Sequence, residues 1–409
     1  MNILVVTQLY PQPDDTGGYT ITHTVEYFCK EWIKEGHKVY VIHVPSKFPS
    51  IYYHAPSFIK RRLINGSLRI IPSKESRKEL HYISSLGMSI HRLPLLKMFP
   101  GKGYSKGKLR GVSKNIETLL EKENFKPDIV MGHFSNPSTE LVALLSKHYK
   151  AMSSIVFHND CGEQNIKKYR ILENIKDIHA IGCRSLSESK VLEPLLHRDL
   201  FVCCSGVPNE VIEKADRYCD KHDYSKGIKY LYVGGLVTAK NVDSVIKAFS
   251  LARKDNDTLT IIGDGEEKEN LLKLVNELNI QDSVYFLGKL SRNDVQRKMK
   301  EAHVFAMISK YETFGMVYVE AMLQGCITIA SYQGGFDGII KNGENGFLCE
   351  QGNAEMLASV FKQISNLSKE ERNRIGQNAI NVGLNYSERD VALRYLNEVI
   401  RRNEEFKNE

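Results

Sequence analysis

The sequence predicts an α/β protein made of two doubly wound domains. Short apolar segments alternate with longer segments of helical periodicity, which is typical of parallel sheets with crossover helices. At 409 residues the chain exceeds one ordinary core and suits two domains of roughly 200 residues each. Hydrophobic residues make up 42% and charged residues 26%, as in ordinary globular proteins.

Six strands are predicted in each half of the chain. In the first half they are residues 3–7, 38–43, 129–132, 154–157, 180–182 and 201–204. In the second half they are residues 230–233, 258–262, 284–287, 304–308, 327–330 and 346–349. A polar, charged stretch between Pro208 and Gly227 separates the two sets, so we place the first domain at 1–208 and the second at 209–386. A last helix is predicted over Glu388–Arg402, within residues 387–409.

The chain shows no signal for export or membrane insertion. No apolar run approaches the roughly 20 residues that span a bilayer. The first strand pattern begins at once, without a basic leader or a cleavage site. The eight cysteines include no CxxC pair and are expected to be reduced thiols. We therefore expect a cytoplasmic protein.

The run from Glu312 to Gly325 carries the strongest functional signal. It follows an apolar strand and opens an apolar helix, so the amides of Gly315 and Met316 can bind a diphosphate at a positive helix end. Glu312 lies in the loop before the helix and can accept sugar hydroxyls. Glu320 lies about 7.5 Å farther along the axis and can accept both hydroxyls of a ribose. Two solvated glutamates on a surface helix are the alternative interpretation.

Further motifs follow this run in order. They are Gly325, the apolar strand 326–330, a Gly-Gly-Phe-Asp segment at 334–337 that is expected to open a short helix, and a turn at 342–347. With them, the stretch Ala302–Gly352 resembles the donor half of the family 4 glycosyltransferases, which are retaining enzymes.

The resemblance implies the GT-B fold, in which two Rossmann-like domains face a cleft and the last helix crosses back to the first domain. It also implies that Glu312 contacts the transferred sugar, that Glu320 binds the ribose, and that Phe314, Gly315 and Met316 supply backbone contacts.

Glycines follow the first strand of each domain. Asp14–Gly18 lacks the GxGxxG spacing of dinucleotide folds, which argues against a nicotinamide or flavin enzyme. The resemblance matches Gly17 and Gly18 to a glycine loop that faces the donor. It also matches Gly263 and Gly265 to a loop lining the nucleotide pocket.

The segment Val233–Lys240 departs from the family pattern at one position. An arginine usually follows the first glycine in the family, and here Gly235 occupies that place. Lys240 remains in register to neutralise the diphosphate. Because each such charge can contribute a few kcal/mol in a dry site, we expect another cation to compensate, either Lys289 or Arg292.

His158 ends a predicted strand, at the sheet edge where doubly wound folds bind ligands. The resemblance implies that it lies near the reacting sugar. His133 is a weaker candidate. Asp160 either orients His158 or contacts the acceptor, and the sequence leaves both possibilities open.

No metal or cofactor site is predicted. The only DxD motif, Asp255-Asn256-Asp257, lies between a helix and a strand and is interpreted as a solvated turn. There is also no GxSxG nucleophile elbow. The sugar nucleotide is expected to be a substrate, and no cofactor is expected.

Residues 46–114 form a basic insertion. They contain fifteen lysines and arginines against two acidic residues, Glu75 and Glu79. Aromatic and apolar residues lie between the cations, as where Phe58 precedes Lys60, Arg61 and Arg62. A solvated basic face or a nucleic-acid patch is possible, but this mixture better suits an anionic membrane surface. We expect peripheral binding at the inner face of the plasma membrane and no nucleic-acid partner.

Together these features predict a retaining, metal-independent glycosyltransferase. It would move a sugar from a nucleotide-diphosphate donor to an acceptor, a lipid-carrier-linked saccharide in bacterial surface polysaccharide synthesis. The alternatives are a sugar-nucleotide epimerase of similar fold, and a non-catalytic protein that binds anionic lipid or nucleic acid.

Overall fold

The computed structural model describes residues 1–13, 23–50, 78–99, 101–215 and 217–408. These residues form two compact units. The first unit comprises residues 1–184, 188–203 and 391–409, and the second comprises 185–187 and 204–390. The chain thus changes unit between Cys203 and Cys204, five residues before the predicted boundary, because the last strand of the first sheet ends at Val202.

The first unit contains an eight-stranded sheet, whose strands are β1 Asn2–Thr7, β2 Lys38–His43, β4 Leu80–Ile83, β5 Ser89–Arg92, β7 Ile129–His133, β8 Met152–Val156, β9 Ala180–Cys183 and β10 Phe201–Val202. Their order across the sheet is β10-β9-β8-β7-β1-β2-β5-β4. All neighbours are parallel except β4 and β5, which are antiparallel. A separate pair joins β3 Ser46–Lys47 to β6 Leu95–Leu96. The sequence analysis missed β3, β4, β5 and β6, because strands of two to four residues are too short to show an alternating apolar pattern.

Helices pack on this sheet through an apolar core. They are Thr24–Lys34, Lys106–Lys122, Ser138–Tyr149, Glu163–Lys168, Ile171–Asn174 and Leu186–Leu196, together with the last helix, Glu388–Asn408. The last helix belongs to the first unit from Val391 onward. It is held there by the indole of Trp32, which donates to the Ala392 carbonyl at 2.9 Å, and by the buried amide of Asn403.

The second unit contains a six-stranded parallel sheet, whose strands are β11 Lys229–Val233, β12 Thr258–Ile262, β13 Val284–Gly288, β14 Val304–Ala306, β15 Ile327–Ser331 and β16 Phe347–Cys349. Their order across the sheet is β13-β12-β11-β14-β15-β16. Its helices are Asn209–Glu213, Val242–Ala252, Lys268–Glu277, Arg292–Glu301, Met316–Leu323, Ala354–Asn366 and Lys369–Gly383. Residues 334–337 form turns, so the short helix predicted there is wrong.

Each sheet has a point where the strand order reverses. In the second unit the chain builds outward from β11 in one direction and from β14 in the other, and these two strands are neighbours. In the first unit β1 and β7 have the same relation. Ligands of doubly wound folds bind beyond the carboxyl ends of strands at such switch points. The loops after β11 and β14 are therefore where a site is expected.

All eight cysteines are free, and seven of them are buried. Among the described residues, no helix is long and apolar enough to cross a membrane.

Candidate active site

Glu312 and Lys240 meet at the switch point of the second unit. Lys240 follows β11 and Glu312 follows β14, and the Lys240 Nζ lies 2.5 Å from a carboxylate oxygen of Glu312. Both side chains are about one-fifth exposed, at 22% and 19%. The loops that carry them are joined by a hydrogen bond from the Lys310 amide to the Ala239 carbonyl, 2.8 Å long. Two residues chosen from separate motifs therefore form one ion pair.

The helix beside this pair follows a glycine with left-handed backbone. Gly315 has φ of 92°, and a Cβ on it would lie 2.4 Å from the ring of Tyr318. The Tyr318 hydroxyl donates to the Met307 carbonyl at 2.7 Å, which holds the ring in place. Gly335 presses on the same loop, since its Cβ would lie 2.6 Å from the Glu312 carbonyl oxygen. Both glycines are required for the loop after β14 to enter the helix at this angle.

The amides at this helix end are free to bind an anion. Within the described chain, no acceptor is recorded for the NH groups of Gly315, Met316 and Val317. The Met316 side chain is exposed, whereas Phe314 is buried against Phe336, with ring centroids 5.3 Å apart. Unpaired amides and the helix dipole together favour a phosphate at this position.

Glu320 lies one helical turn farther along and is buried. One of its oxygens accepts from Arg292 at 2.5 Å and the other from Gln296 at 2.7 Å. Arg292 is therefore engaged by Glu320, and of the two cations proposed to replace the family arginine only Lys289 has no such partner among the described side chains. The sequence analysis did not identify Gln296. Its spacing of four residues from Arg292 on one helix was the available signal.

Glycines bring the loops after β11 and β12 together. A Cβ on Gly263 would lie 1.8 Å from the Gly234 carbonyl oxygen, and one on Gly265 would lie 2.2 Å from the Leu236 carbonyl oxygen. These glycines therefore serve close backbone approach. Gly235 differs, because no described atom lies within 4 Å of a Cβ built on it and its φ is outside the left-handed region.

A second cluster of predicted residues lies in the first unit, where β7 and β8 end. The rings of His133 and His158 are joined by a hydrogen bond of 3.0 Å between Nδ1 and Nε2, and the Phe134 ring stacks on His158 at 4.1 Å. Burial and the nearby Arg184 charge lower the pKa of His133 to about 3, and they hold the pKa of His158 well below its usual range. Both rings are therefore neutral at pH 7, and His158 can act as a hydrogen-bonding group.

Carboxylates position the backbone around His158. Asp160 accepts hydrogen bonds from the backbone NH groups of His158, at 3.0 Å, and of Ser135. The Asp160 carboxylate thus holds the backbone of this loop, and a contact between Asp160 and the acceptor stays a prediction. Glu188, which the sequence analysis missed, accepts from the Asn159 amide at 2.6 Å, and burial raises its pKa to about 7.

Some predicted residues lie outside the described ranges: Gly17, Gly18, Phe58, Lys60, Arg61 and Arg62. We predicted that apolar residues of the basic insertion contact a membrane. In its described part, Phe48 and Leu95 are instead buried in the first unit and are not available for such contact. Leu96, Met98 and Phe99 are exposed.

The DxD motif is structural. The buried Asp257 accepts from the Ile228 amide at 2.7 Å and from the Lys254 amide at 2.9 Å, so the interpretation as a solvated turn is wrong for this residue. The described residues contain no cluster of three or more histidines, cysteines or carboxylates that could hold a metal ion.

Comparison with known proteins identifies the family. Residues 220–382 match the family model described as "Glycosyl transferases group 1". N-acetyl-alpha-D-glucosaminyl L-malate synthase of Bacillus anthracis is 31% identical over 279 residues, which cover 64% of this chain and 71% of that protein. The chain belongs to the group 1 glycosyltransferases. An uncharacterised glycosyltransferase of Methanocaldococcus jannaschii is 28% identical and aligns over 81% of this glycosyltransferase and 90% of its own length.

The fold of the group 1 glycosyltransferase agrees with solved structures. The Anabaena protein HepE, crystallised with UDP, superposes with a TM-score of 0.65 at 16% identity, covering 97% of this chain and 99% of that one. The GT-B fold with two Rossmann-like domains is therefore confirmed, and the chain is a glycosyltransferase.

Proposed function

We propose that this enzyme transfers a sugar, with retention at the anomeric carbon, from a nucleotide-diphosphate donor bound in the second unit. The observation that carries the proposal is the Glu312–Lys240 pair beside the unpaired amides of Gly315, Met316 and Val317, with Glu320 one turn beyond. This order of acidic, amide and acidic groups matches the order of sugar, diphosphate and ribose in a sugar nucleotide. HepE, which shares the fold, binds UDP in its crystals.

The donor diphosphate would replace Glu312 as the ion-pair partner of Lys240. Before donor binding, the ammonium group of Lys240 is paired with Glu312. A diphosphate on the helix amides offers that ammonium a stronger anion, and Glu312 then accepts hydrogen bonds from the sugar hydroxyls. Binding of the donor thereby converts a neutral pair into two groups that each contact substrate.

Glu320 would bind the ribose without losing its protein partners. Arg292 and Gln296 each use one lone pair of its carboxylate oxygens and fix the orientation of the group. Each oxygen keeps another acceptor site for a ribose hydroxyl.

The chemistry would need neither metal nor cofactor. Lys240 and the helix amides stabilise the charge that develops on the leaving diphosphate. A same-face displacement, in which the leaving phosphate accepts the proton of the acceptor hydroxyl, accounts for retention. His158, held neutral in the first unit, would hydrogen-bond the reacting sugar.

We propose a lipid-carrier-linked saccharide as acceptor, in bacterial surface polysaccharide synthesis, with the enzyme peripheral at the inner face of the plasma membrane. The support is the excess of cations in residues 46–114 and the exposure of Met98 and Phe99, at 58% and 57%. Such a mixture suits an anionic interface.

A thermal-shift screen of UDP, ADP, GDP and their common sugar conjugates tests the donor proposal. We expect one base to raise the melting temperature of the wild-type protein and the Glu320→Gln variant to lose that shift. Incubating the donor with and without acceptor then distinguishes transfer from epimerisation. No shift with any nucleotide, or isomerisation of the sugar without acceptor, would contradict the proposal.

A further inference from the structure

Two lysines of the basic insertion converge on one fixed tyrosine in the first unit. The Nζ atoms of Lys97 and Lys108 lie 5.5 Å and 5.3 Å from the ring centroid of Tyr104. The Tyr104 hydroxyl is hydrogen-bonded to the Ser46 hydroxyl at 3.0 Å, and the backbone carbonyl of Tyr104 accepts from Arg170 at 3.0 Å. The ring is therefore a rigid platform that holds both ammonium groups in one place.

A third lysine approaches from a neighbouring helix. Gly103 packs against the end of the helix Glu163–Lys168, since its Cβ would lie 3.2 Å from the Lys168 carbonyl oxygen. The Lys168 ammonium lies over the ring of the next residue, Tyr169, 5.1 Å from its centroid. Burial and the charge of Lys168 lower the pKa of Lys97 to about 8, so an anion bound between the two ammonium groups would relieve their repulsion.

Counter-charges for these three lysines are missing from the described residues. Lys97 is only 8% exposed, yet no carboxylate of the described residues pairs with it, and within the same part of the chain the Lys108 ammonium is bonded to the Leu96 carbonyl alone. Nearby Lys106, in contrast, is paired with Glu173 at 2.5 Å. Buried lysines are almost always paired, so an unpaired one in a like-charge cluster indicates a missing anionic partner.

The cluster lies at the ligand-binding edge of the first sheet. Ser46, which contacts Tyr104, is also contacted by the amide of Gln8, just beyond the carboxyl end of β1, at 3.5 Å. On the other side, the side-chain amide of Asn165, on the helix that ends at Lys168, donates to the Asp160 carbonyl at 2.9 Å. Asp160 belongs to the loop that carries His158. The lysines and His158 therefore share the edge where doubly wound sheets bind ligands.

We infer that Lys97, Lys108 and Lys168 form a binding site for a phosphate or diphosphate group of the acceptor. The assignment to an acceptor rests on the proposed function, because the donor diphosphate is placed in the second unit. Met98 and Phe99 follow Lys97 and are exposed, which favours a phosphate attached to a lipid chain. A soluble sugar phosphate offers the same anionic chemistry and is distinguished by experiment.

Inorganic pyrophosphate is the probe for the first test. Its binding is measured by calorimetry on the full chain in the Lys240→Gln background, which weakens the donor site. We expect Lys168→Gln, at an exposed position, to weaken binding at least tenfold, and Lys97→Gln/Lys168→Gln to abolish it. Lys106→Gln is the matched control, because it removes one charge nearby from a lysine already paired with Glu173. An equal loss in the control, or no loss in Lys168→Gln, overturns the assignment.

Two further measurements separate the possible failures. If UDP and the other nucleotides fail to bind while the lysine-dependent binding of pyrophosphate persists, the proposed function fails and the anion site stands. If nucleotides bind but pyrophosphate binding is independent of the lysines, the anion site fails alone.

To learn which molecule carries the phosphate, we compare binding of a polyprenyl diphosphate in detergent with binding of a hexose 1-phosphate. Tighter binding of the lipid, lost in Met98→Ser/Phe99→Ser, supports the lipid-linked acceptor, and tighter binding of the hexose phosphate overturns it.

Discussion

Glu312 and Lys240 form an ion pair whose side chains are only about one-fifth exposed. The cost of removing both charges from water offsets much of their attraction, so the pair is expected to contribute little to the free energy of unfolding. The same groups contribute more where charge develops during reaction. Substitution at either position should therefore affect turnover more than it affects the free energy of unfolding.

The first prediction concerns Glu312→Gln. We expect turnover to fall about 100-fold, because the variant loses the anionic acceptor for the sugar hydroxyls, while the melting temperature changes little. Initial rates and thermal melts of the purified variant measure both quantities. Glu344→Gln, which removes an exposed partner of Lys341, is the charge-matched control and should be nearly as active as wild type. A rate for Glu312→Gln close to that of wild type would show that the assigned role is wrong.

The second prediction concerns the open space at Gly235. An arginine there has room for its Cβ and requires no left-handed backbone, and it would supply a cation near Lys240. We therefore expect Gly235→Arg to bind the nucleoside diphosphate several-fold more tightly in calorimetry. Gly235→Ala is the neutral control and should bind like wild type. If the arginine variant binds no better than the alanine variant, the diphosphate does not lie beside this loop.

At the scale of the element, the helix Met316–Leu323 depends on the glycine before it. Gly315 combines a positive φ with an aromatic ring where a Cβ would lie. We predict that Gly315→Ala lowers the free energy of unfolding by more than the roughly 1–2 kcal/mol of left-handed strain and also weakens nucleotide binding. Gly343→Ala is the matched control, since its φ is 74° but no described atom lies within 4 Å of its Cβ. Urea titrations that give equal losses for both variants would remove the packing argument.

The last helix is held on β8 by a buried amide. Asn403 accepts from the Ser153 amide at 2.9 Å and donates to the Ser153 carbonyl at 3.2 Å. We predict that Asn403→Ala costs about 1–3 kcal/mol of unfolding free energy, because both backbone groups lose their partner. Arg401→Ala, which removes only exposed ion pairs, should cost much less. Denaturation that is equally sensitive to both changes would contradict this account.

At the scale of the whole molecule, four histidines with lowered pKa values, three buried and His158 partly buried, couple stability to pH. Burial lowers the pKa of His133 and His222 to about 3 and of His303 to about 4, and that of His158 lies well below its usual value. These groups stay neutral in the folded chain but protonate near pH 6.5 when it unfolds. Their contribution to the free energy of unfolding is therefore complete above pH 6.5. It is lost as the pH falls toward the folded-state pKa values, by about 1.4 kcal/mol per histidine per pH unit.

The raised pKa of Glu188 acts in the opposite direction. Burial brings it to about 7, so its contribution is present below pH 4.5 and is lost as the pH rises to 7. Four histidines outweigh one carboxyl group, and we predict a free energy of unfolding several kcal/mol lower at pH 5.5 than at pH 7.5. Urea titrations at the two values test this, and His303→Gln should reduce the difference. Equal stability at both values would contradict the neutral state of these rings.

The sequence by itself determined the order of elements and selected the residues that we propose bind the donor. Apolar runs and helical periods are local, so all twelve predicted strands end within two residues of the observed ones, and β10 and β14 are each two residues shorter than predicted. The strands of the basic insertion are too short to show this signal, and the predicted helix at 334–337 is a series of turns because Gly335 must press against the Glu312 loop. Glu312 and Lys240 were each found from a local motif.

Only the tertiary structure decided what those residues contact. Lys240 and Glu312 are 72 positions apart, and Arg292 and Glu320 are 28 apart. Their pairing follows from which strands and helices are neighbours. Lys97 and Lys108 likewise meet only on the Tyr104 ring, and Lys168 comes near them because the end of its helix packs against Gly103. Local sequence reports backbone preference and amphipathic pattern, whereas the distances between charges that determine binding arise from packing between segments remote in the chain.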